Sequence, residues 1–598
     1  MRLKNINQNS LMKIFNKMQV LAIMPALLYM GAKAQTGAIA LNQQGYYTYA
    51  PKIAVLVNNT VATQFYVVSA NKPDTVLRGN LGAETQSAYS STKTKIADFS
   101  TLQMAGTYNI YVPGLGVSYP FTISNNVLHS VAKGLIKGYY YQRVSMPLEE
   151  KYAGKWHRPT GHPDTAVLIH PSAATDKRPA GTIISTPGGW YDAGDYNKYV
   201  VNSGISTGTL LSAYEDFSSY FDTLTTNIPE SGNHIPDILN EALYNVRWML
   251  TMQDPNDGGV YNKCTNAAFD GMVMPGVTKL PRYVVAKGTS ATLDFAAVMA
   301  QVARITKKLG KHLPGLSDSC LHAAEYAWQW ALKNPNLAYD QDAINKQYEP
   351  KITTGGYGDR RFNDEWFWAA CELFVTTQSH KYYDTVMGGM GKPFTIPSWA
   401  SVHLLGYYTL LRNEKNIPAS TPVDVTGLKQ RLLVFADSLL QGGNTAFKTV
   451  MGQNKRDFIW GSNAVAANQG IVLVNAYLTT GDKKYINGAL SNIDYILGRN
   501  ATGYSFVTGF GTKATMHPHH RQSVSDGIDE PVPGLMAGGP NPGRQDHTQY
   551  TFTEPETAYN DNSGAYASNE IAINWNAPAV YLANALEALQ YKVGYSKK

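Results

Sequence analysis

Near Asn125 the chain changes texture, and that change fixes most of what it can fold into. Before it, from Ala38 to Ile123, short β-rich runs such as Ile53 to Val57, Gln64 to Val68, Tyr108 to Val112 and Tyr119 to Ile123 are punctuated by Gly, Pro, Asn and Asp. Short strands at such spacing predict an antiparallel β-sandwich of immunoglobulin-like type over residues 36–124. After it, apolar residues recur at helical spacing. The clearest run is Ile235, Ile238, Leu239, Ala242, Leu243, Val246, Met249 and Leu250, the apolar stripe of one long amphipathic helix. Weaker runs of the same period occupy roughly 127–143, 204–221, 290–309, 318–333, 362–377, 398–412, 427–440, 464–480, 482–497 and 576–592. They predict eleven helices, or twelve, in a mainly α domain covering 125–598. Long connections rich in Gly, Pro and aromatics separate them, and loops of that length in a compact domain are usually functional.

The first 34 residues read differently: Arg2, Lys4, Lys13 and Lys17 precede the apolar run Val20 to Met30 and the small-residue stretch Gly31-Ala32-Lys33-Ala34. This order is that of a secretory signal peptide over 1–34, so the expected location is periplasmic or extracellular. The run falls short of the roughly 20 apolar residues a membrane-spanning helix needs, so membrane insertion is not expected. Removing the segment takes the formal charge from +7 to +2 and leaves little basis for binding nucleic acid. Cys264, Cys320 and Cys371 are too few and too widely spaced for a disulfide framework, and at most one bridge is expected. No obligate protein partner is evident.

Three segments carry chemistry. Gly188-Gly189-Trp190-Tyr191-Asp192-Ala193-Gly194-Asp195-Tyr196 sets two carboxylates three residues apart in a Gly-rich turn, where one can activate water while the other positions it. On pattern alone, a helix cap or a calcium loop accounts for it as well. Met516-His517-Pro518-His519-His520-Arg521 gathers hydrogen-bond donors and a fixed positive charge, and it lacks the Cys or HExxH partners of a zinc site. Tyr559-Asn560-Asp561 through Tyr566 to Glu570 places carboxylates among aromatics, where desolvation raises a carboxyl pKa and keeps an acid protonated. The 39 Tyr and 10 Trp suit stacking on the apolar faces of sugar rings. Helical ones such as Trp328 and Trp330 are expected in the core, and the loop aromatics Trp190 and Tyr566 are the better candidates for sugar contact.

Together these segments resemble glycoside hydrolase family 9, a cellulase family, over essentially the whole chain beyond the signal. Its pattern is met at Ser505, Val507, Thr508, Gly511, Lys513, Pro518, His519 and Arg521, and again at Tyr559, Asp561, Tyr566, Glu570, Ala572, Asn576 and Ala577. The stretches Ile235 to Glu241, Met252 to Asp254, Gly258 to Tyr261, Gly461 to Asn463 and Asn468 to Gly470 are also similar to the family. The resemblance implies an (α/α)6 barrel behind an immunoglobulin-like module and an inverting hydrolase of β-1,4-glucans. It implies Asp195 as general base, Asp192 holding the water and Glu570 as general acid, with the base and acid carboxyl groups roughly 6.5 to 9.5 Å apart to admit that water. It also sets His519 and Arg521 against the sugar and Asp561 near the acid; His517 is a further candidate contact.

Many relatives carry zinc-binding cysteines where this chain has Val144 and Gly161, so no metal ligand is assigned and no cofactor is required; a structural calcium held by oxygen ligands stays compatible with the resemblance. The polymer (cellulose, mixed-linkage glucan or xyloglucan) and endo against exo action are set by loops such as 144–187 and 334–360. The alternatives are an exo-acting cellodextrinase or a glucosaminidase of the same family, and a non-catalytic glycan-binding protein.

Overall fold

A computed structural model describes residues 35–58, 61–72 and 74–597, so the signal-peptide segment 1–34 lies outside the described residues. The first ten strands form a two-sheet sandwich. One sheet runs β1 (Ile39–Ala40), β3 (Ile53–Val57), β7 (Lys93–Asp98), β6 (Thr85–Gln86). The other runs β2 (Gly45–Tyr46), β10 (Phe121–Ile123), β8 (Gly106–Val112), β4 (Gln64–Ser69), β5 (Thr75–Asn80), with β9 (Gly116–Val117) beside β8. Pairing is antiparallel except between β10 and β2. The period-two pattern explains the burial: in β8 Tyr108, Ile110 and Val112 point inward against Phe65, Val67, Phe99 and Phe121.

Twelve helices of the described residues build the barrel: α1 (His129–Tyr141), α2 (Val200–Phe221), α3 (Asp237–Thr251), α4 (Thr289–Thr306), α5 (Leu316–Lys333), α6 (Asn363–Thr377), α7 (Tyr383–Gly389), α8 (His403–Arg412), α9 (Val425–Leu440), α10 (Ser462–Thr480), α11 (Lys483–Ile496) and α12 (Ile573–Val593). The even-numbered helices are the inner ring: α2 packs on α4, α4 on α6, α6 on α8, and α12 joins α10 to α2. The odd-numbered helices cover them from outside, α3 on α2, α5 on α4, α7 on α6, α9 and α11 on α10, and α1 on α12. This is an (α/α)6 barrel. Its two rings differ in degree: outer α3 exposes Arg247 and half-buries Tyr244, Leu250 and Thr251, whereas in inner α10 every residue from Ser462 to Tyr477 except Val465 is buried.

A small mixed sheet caps one end, in the order β12 (Ile183–Ile184), β11 (Val167–Ile169), β15 (Arg282–Val284), β14 (Lys263–Asn266), β13 (Lys198–Tyr199). It is absent from the sequence reading because its strands are two to four residues long inside loops. The sandwich is bonded to the barrel: Asn42 donates to Asp494 at 2.7 Å and Tyr47 to Glu587 at 2.6 Å, while the Gln43 backbone N–H reaches the Leu497 carbonyl at 3.0 Å. Cys264, Cys320 and Cys371 are buried free thiols, and no helix among the described residues is long and apolar enough to cross a membrane.

Candidate active site

The Gly188–Asn197 turn is sewn down on both sides before it enters β13 and α2. The Val144 N–H donates to the Gly189 carbonyl at 2.9 Å and the Tyr191 N–H to the Gln142 carbonyl at 2.8 Å. Arg143, wholly buried between them, donates to both Glu230 and Glu241, with distances of 2.9 to 3.0 Å. From the other side the Ile573 N–H, at the start of α12, donates to the Asp192 carbonyl at 2.8 Å, and Ala193 bridges Ala572. Gly194 packs so closely on the His519 carbonyl that a Cβ would overlap it. The turn carrying Asp192 and Asp195 is thereby fixed against the segment carrying Glu570, whose own backbone bridges His519.

The three carboxyl groups have different surroundings. Asp195 is 5% exposed, and its bonds all fall on Oδ2: Tyr199 OH at 3.2 Å, the Asn197 N–H at 3.3 Å, and a close contact from Asn197 Nδ2. Among the described residues nothing donates to Oδ1. Asp192, 1% exposed, receives Asn202 Nδ2 on Oδ1 and Tyr357 OH on Oδ2, both at 2.9 Å. Burial, then the charge of Asp195, pushes its pKa well up, against the donation from Asn202 and Tyr357. Glu570 follows the short helix Tyr566–Asn569 in an extended conformation. Desolvation raises its pKa well above the ordinary carboxyl range; Asp195 and Asp192 add to the rise, and Arg521 and the Gly194 N–H oppose it. A carboxyl whose protonated form is favoured, beside a carboxylate lined by donors, is an arrangement suited to acid and base catalysis.

Arg521 stays beside the pair by donating to the Gly194 carbonyl at 2.8 Å and to the Asp270 carbonyl at 2.9 Å, with its guanidinium 5.6 Å from the half-exposed Phe269 ring. His519 Nδ1 donates to the Ser563 carbonyl at 2.6 Å, and burial lowers its pKa, which favours the neutral ring with Nε2 as an acceptor. Its ring meets Tyr566 edge-on at 5.6 Å, and Tyr566 lies 5.7 Å from Trp460, which is 40% exposed. These aromatics offer apolar faces beside the carboxyl groups, as a sugar chain requires.

Two candidates land elsewhere. Trp190 is fully buried, 4.5 Å from the Tyr139 ring in the barrel core, so it cannot stack on a sugar; the side chain points inward although its neighbours in sequence line the site. Asp561 does not touch the reacting groups: Oδ2 accepts the Met516 N–H and Oδ1 the His517 N–H, each at 2.9 Å, so it splints the His loop. His517 is exposed, and its carbonyl is held by Asn569 at 2.6 Å. The sequence reading missed Tyr357, Asn197, Tyr199 and Asn202. The one signal for Tyr357 was its position among Gly355, Gly356 and Gly358 in a connection, and the others followed directly from Asp195. Among the described residues no group of three or more His, Cys, Asp or Glu side chains is placed to hold a metal ion.

An (α/α)6 barrel whose loops bring Asp192, Asp195 and Glu570 together, with Tyr566 and Trp460 nearby, has the architecture of a glycoside hydrolase. Residues 129–583 match the model of glycosyl hydrolase family 9, and residues 34–117 that of the cellulase N-terminal ig-like domain. The chain belongs to glycosyl hydrolase family 9. It is 47% identical to the xyloglucan-specific endo-β-1,4-glucanase BoGH9A of Bacteroides ovatus, over 92% of this chain and 94% of that protein. It is 33% identical to endoglucanase D of Acetivibrio thermocellus, over 91% of this chain and 82% of that protein. Among solved structures, Bacteroides ovatus GH9 superposes with a TM-score of 0.88 at 46% identity, covering 92% of this chain and 99% of that one.

Proposed function

We propose that xyloglucan is the polymer this inverting endo-β-1,4-glucanase cleaves, with Asp195 as base and Glu570 as acid. The observation that supports the substrate is the likeness to the xyloglucan-specific enzyme along nearly the whole of both chains, well above that to the endoglucanase. In the reaction Asp195 Oδ1 takes a proton from a water that attacks the anomeric carbon, while Glu570 protonates the departing glycosidic oxygen; the C–O bond breaks as the new one forms, and the configuration inverts. Asp192 holds the water beside Asp195, and Arg521 with His519 binds sugar hydroxyls. Family 9 chemistry calls on no cofactor. Export, proposed from the order of residues 1–34, predicts a secreted chain beginning near Gln35.

The test is a time course on tamarind-type xyloglucan, carboxymethylcellulose, mixed-linkage glucan and cellohexaose, with Glu570→Gln alongside. A rapid viscosity fall confined to xyloglucan, with the α anomer appearing first, is the expected result. Equal turnover of carboxymethylcellulose removes the substrate assignment, terminal units as sole products move the enzyme to the exo class, and a β anomer first removes inversion.

A further inference from the structure

Lys263 stands in mid-sheet on β14, paired in register with Tyr199 of β13, and it is wholly buried. No carboxylate among the described residues pairs with it. Its three ammonium protons go to one segment instead: Gln341 Oε1 at 2.6 Å, Thr354 Oγ1 at 3.0 Å and the Gly355 carbonyl at 2.6 Å. An unpaired buried ammonium is costly, and its hydrogen bonds offset that cost only in part.

That segment reaches the aspartates by three routes. The Gly355 N–H donates to Tyr199 OH at 3.1 Å, and Tyr199 OH donates to Asp195 Oδ2. The Thr354 hydroxyl meets the Thr265 hydroxyl at 2.7 Å, which lies 2.9 Å from Asn197 Oδ1, and Asn197 donates to Asp195. Two residues beyond Gly355, Tyr357 holds Asp192.

We propose that Lys263 is a positioning residue for the hydrolytic step: its ammonium clamps the 341–357 strap, and the strap sets the orientation of both Asp195 and Asp192. The proposal rests on the reading of Asp195 as base. The groups facing Lys263 are Asp195, the Tyr199 and Tyr339 rings at 5.4 and 5.6 Å, and His170. Burial lowers the lysine pKa to about 7, with Asp195 acting the other way. Loss of the proton leaves a lone pair among acceptors, so the clamp slackens as pH rises through that value.

The experiment compares full-length wild type with Lys263→Met, Lys263→Arg and Thr354→Val on the polymer, following kcat, KM and thermal unfolding. Lys263→Met is expected to lower kcat on the order of 10²-fold with KM within about threefold, Lys263→Arg to recover about tenfold of that loss, and Thr354→Val to lose about tenfold. A folded Lys263→Met enzyme with wild-type kcat overturns the proposal. So does a loss that Lys263→Arg does not relieve while Thr354→Val is silent. If neither Lys263 variant folds, Thr354→Val with wild-type kcat overturns it. A pH profile in the Glu570→Gln background, on an activated aryl cellobioside that needs no acid, is expected to keep an alkaline limb near about 7 that Lys263→Arg removes. Asp195→Asn fails on all substrates if the base reading holds; its survival sinks that reading whatever Lys263 does.

Discussion

Replacing Tyr357 by phenylalanine removes a single oxygen, and the structure states what that oxygen does. It donates at 2.9 Å to Oδ2 of Asp192, a carboxyl group 1% exposed whose one other side-chain donor among the described residues is Asn202. The ring itself packs at 4.8 Å on Tyr199 and 5.4 Å on Trp399, and phenylalanine keeps both contacts. A hydrogen bond between uncharged groups contributes about 0.5 to 1.5 kcal/mol net. Taking about 1.5 kcal/mol as lost from the transition state, since the carboxyl is buried, kcat/KM falls about 12-fold. The pH dependence moves in a set direction. Tyr357 donation lowers the proton affinity of Asp192, so its removal raises that affinity and keeps Asp192 protonated to higher pH. Initial rates from pH 4 to 9 on the glucan the enzyme cleaves, with thermal unfolding as the fold control, make the measurement. A Tyr357→Phe enzyme within about threefold of wild type across that pH range refutes the argument that Asp192 orientation matters.

Gly194→Ala puts a methyl group into the His519 carbonyl and must push the base away from the acid; near-complete loss of activity with a lowered melting temperature is expected, and a crystal structure with an unmoved turn would show the reasoning wrong. Arg143→Met strands Glu241 without its partner in the interior and is expected to destabilise by about 3 to 5 kcal/mol in denaturant unfolding; a change under about 1 kcal/mol would count against that pairing as a support of the turn.

The folded chain shows why some features could be read in advance. In outer helix α3 the residues Ile238, Leu239, Ala242, Leu243, Val246 and Met249 stand out against the polar Asp237, Asn240, Glu241, Asn245 and Arg247 between them. Inner α10 is surrounded, and its small and amide residues Ala466, Ala467, Asn468, Gln469 and Gly470 blur the period because close helix approach selects size over polarity. Asp192, Asp195 and Glu570 were legible because charged groups among glycines and aromatics are conspicuous. Trp190 misled because backbone alternation, invisible in a turn, sends its ring into the core. Tyr357 and Lys263 were illegible: each is an ordinary residue whose importance comes from a partner contributed by a distant part of the chain, Asp192 to one and Gly355 to the other.

Gln43 links the sandwich to more than its nearest neighbour. Its carboxamide donates to the Gly503 carbonyl at 3.0 Å and accepts the Lys513 N–H at 2.7 Å, closing the loop that leads into His517 and His519. The N-terminal module thus supplies one staple of the catalytic loop. Any recombination that exchanges such modules between related enzymes must inherit this glutamine and residues 498–513 as a matched set, and a barrel given a foreign module keeps its carboxylates while losing the frame of its histidines.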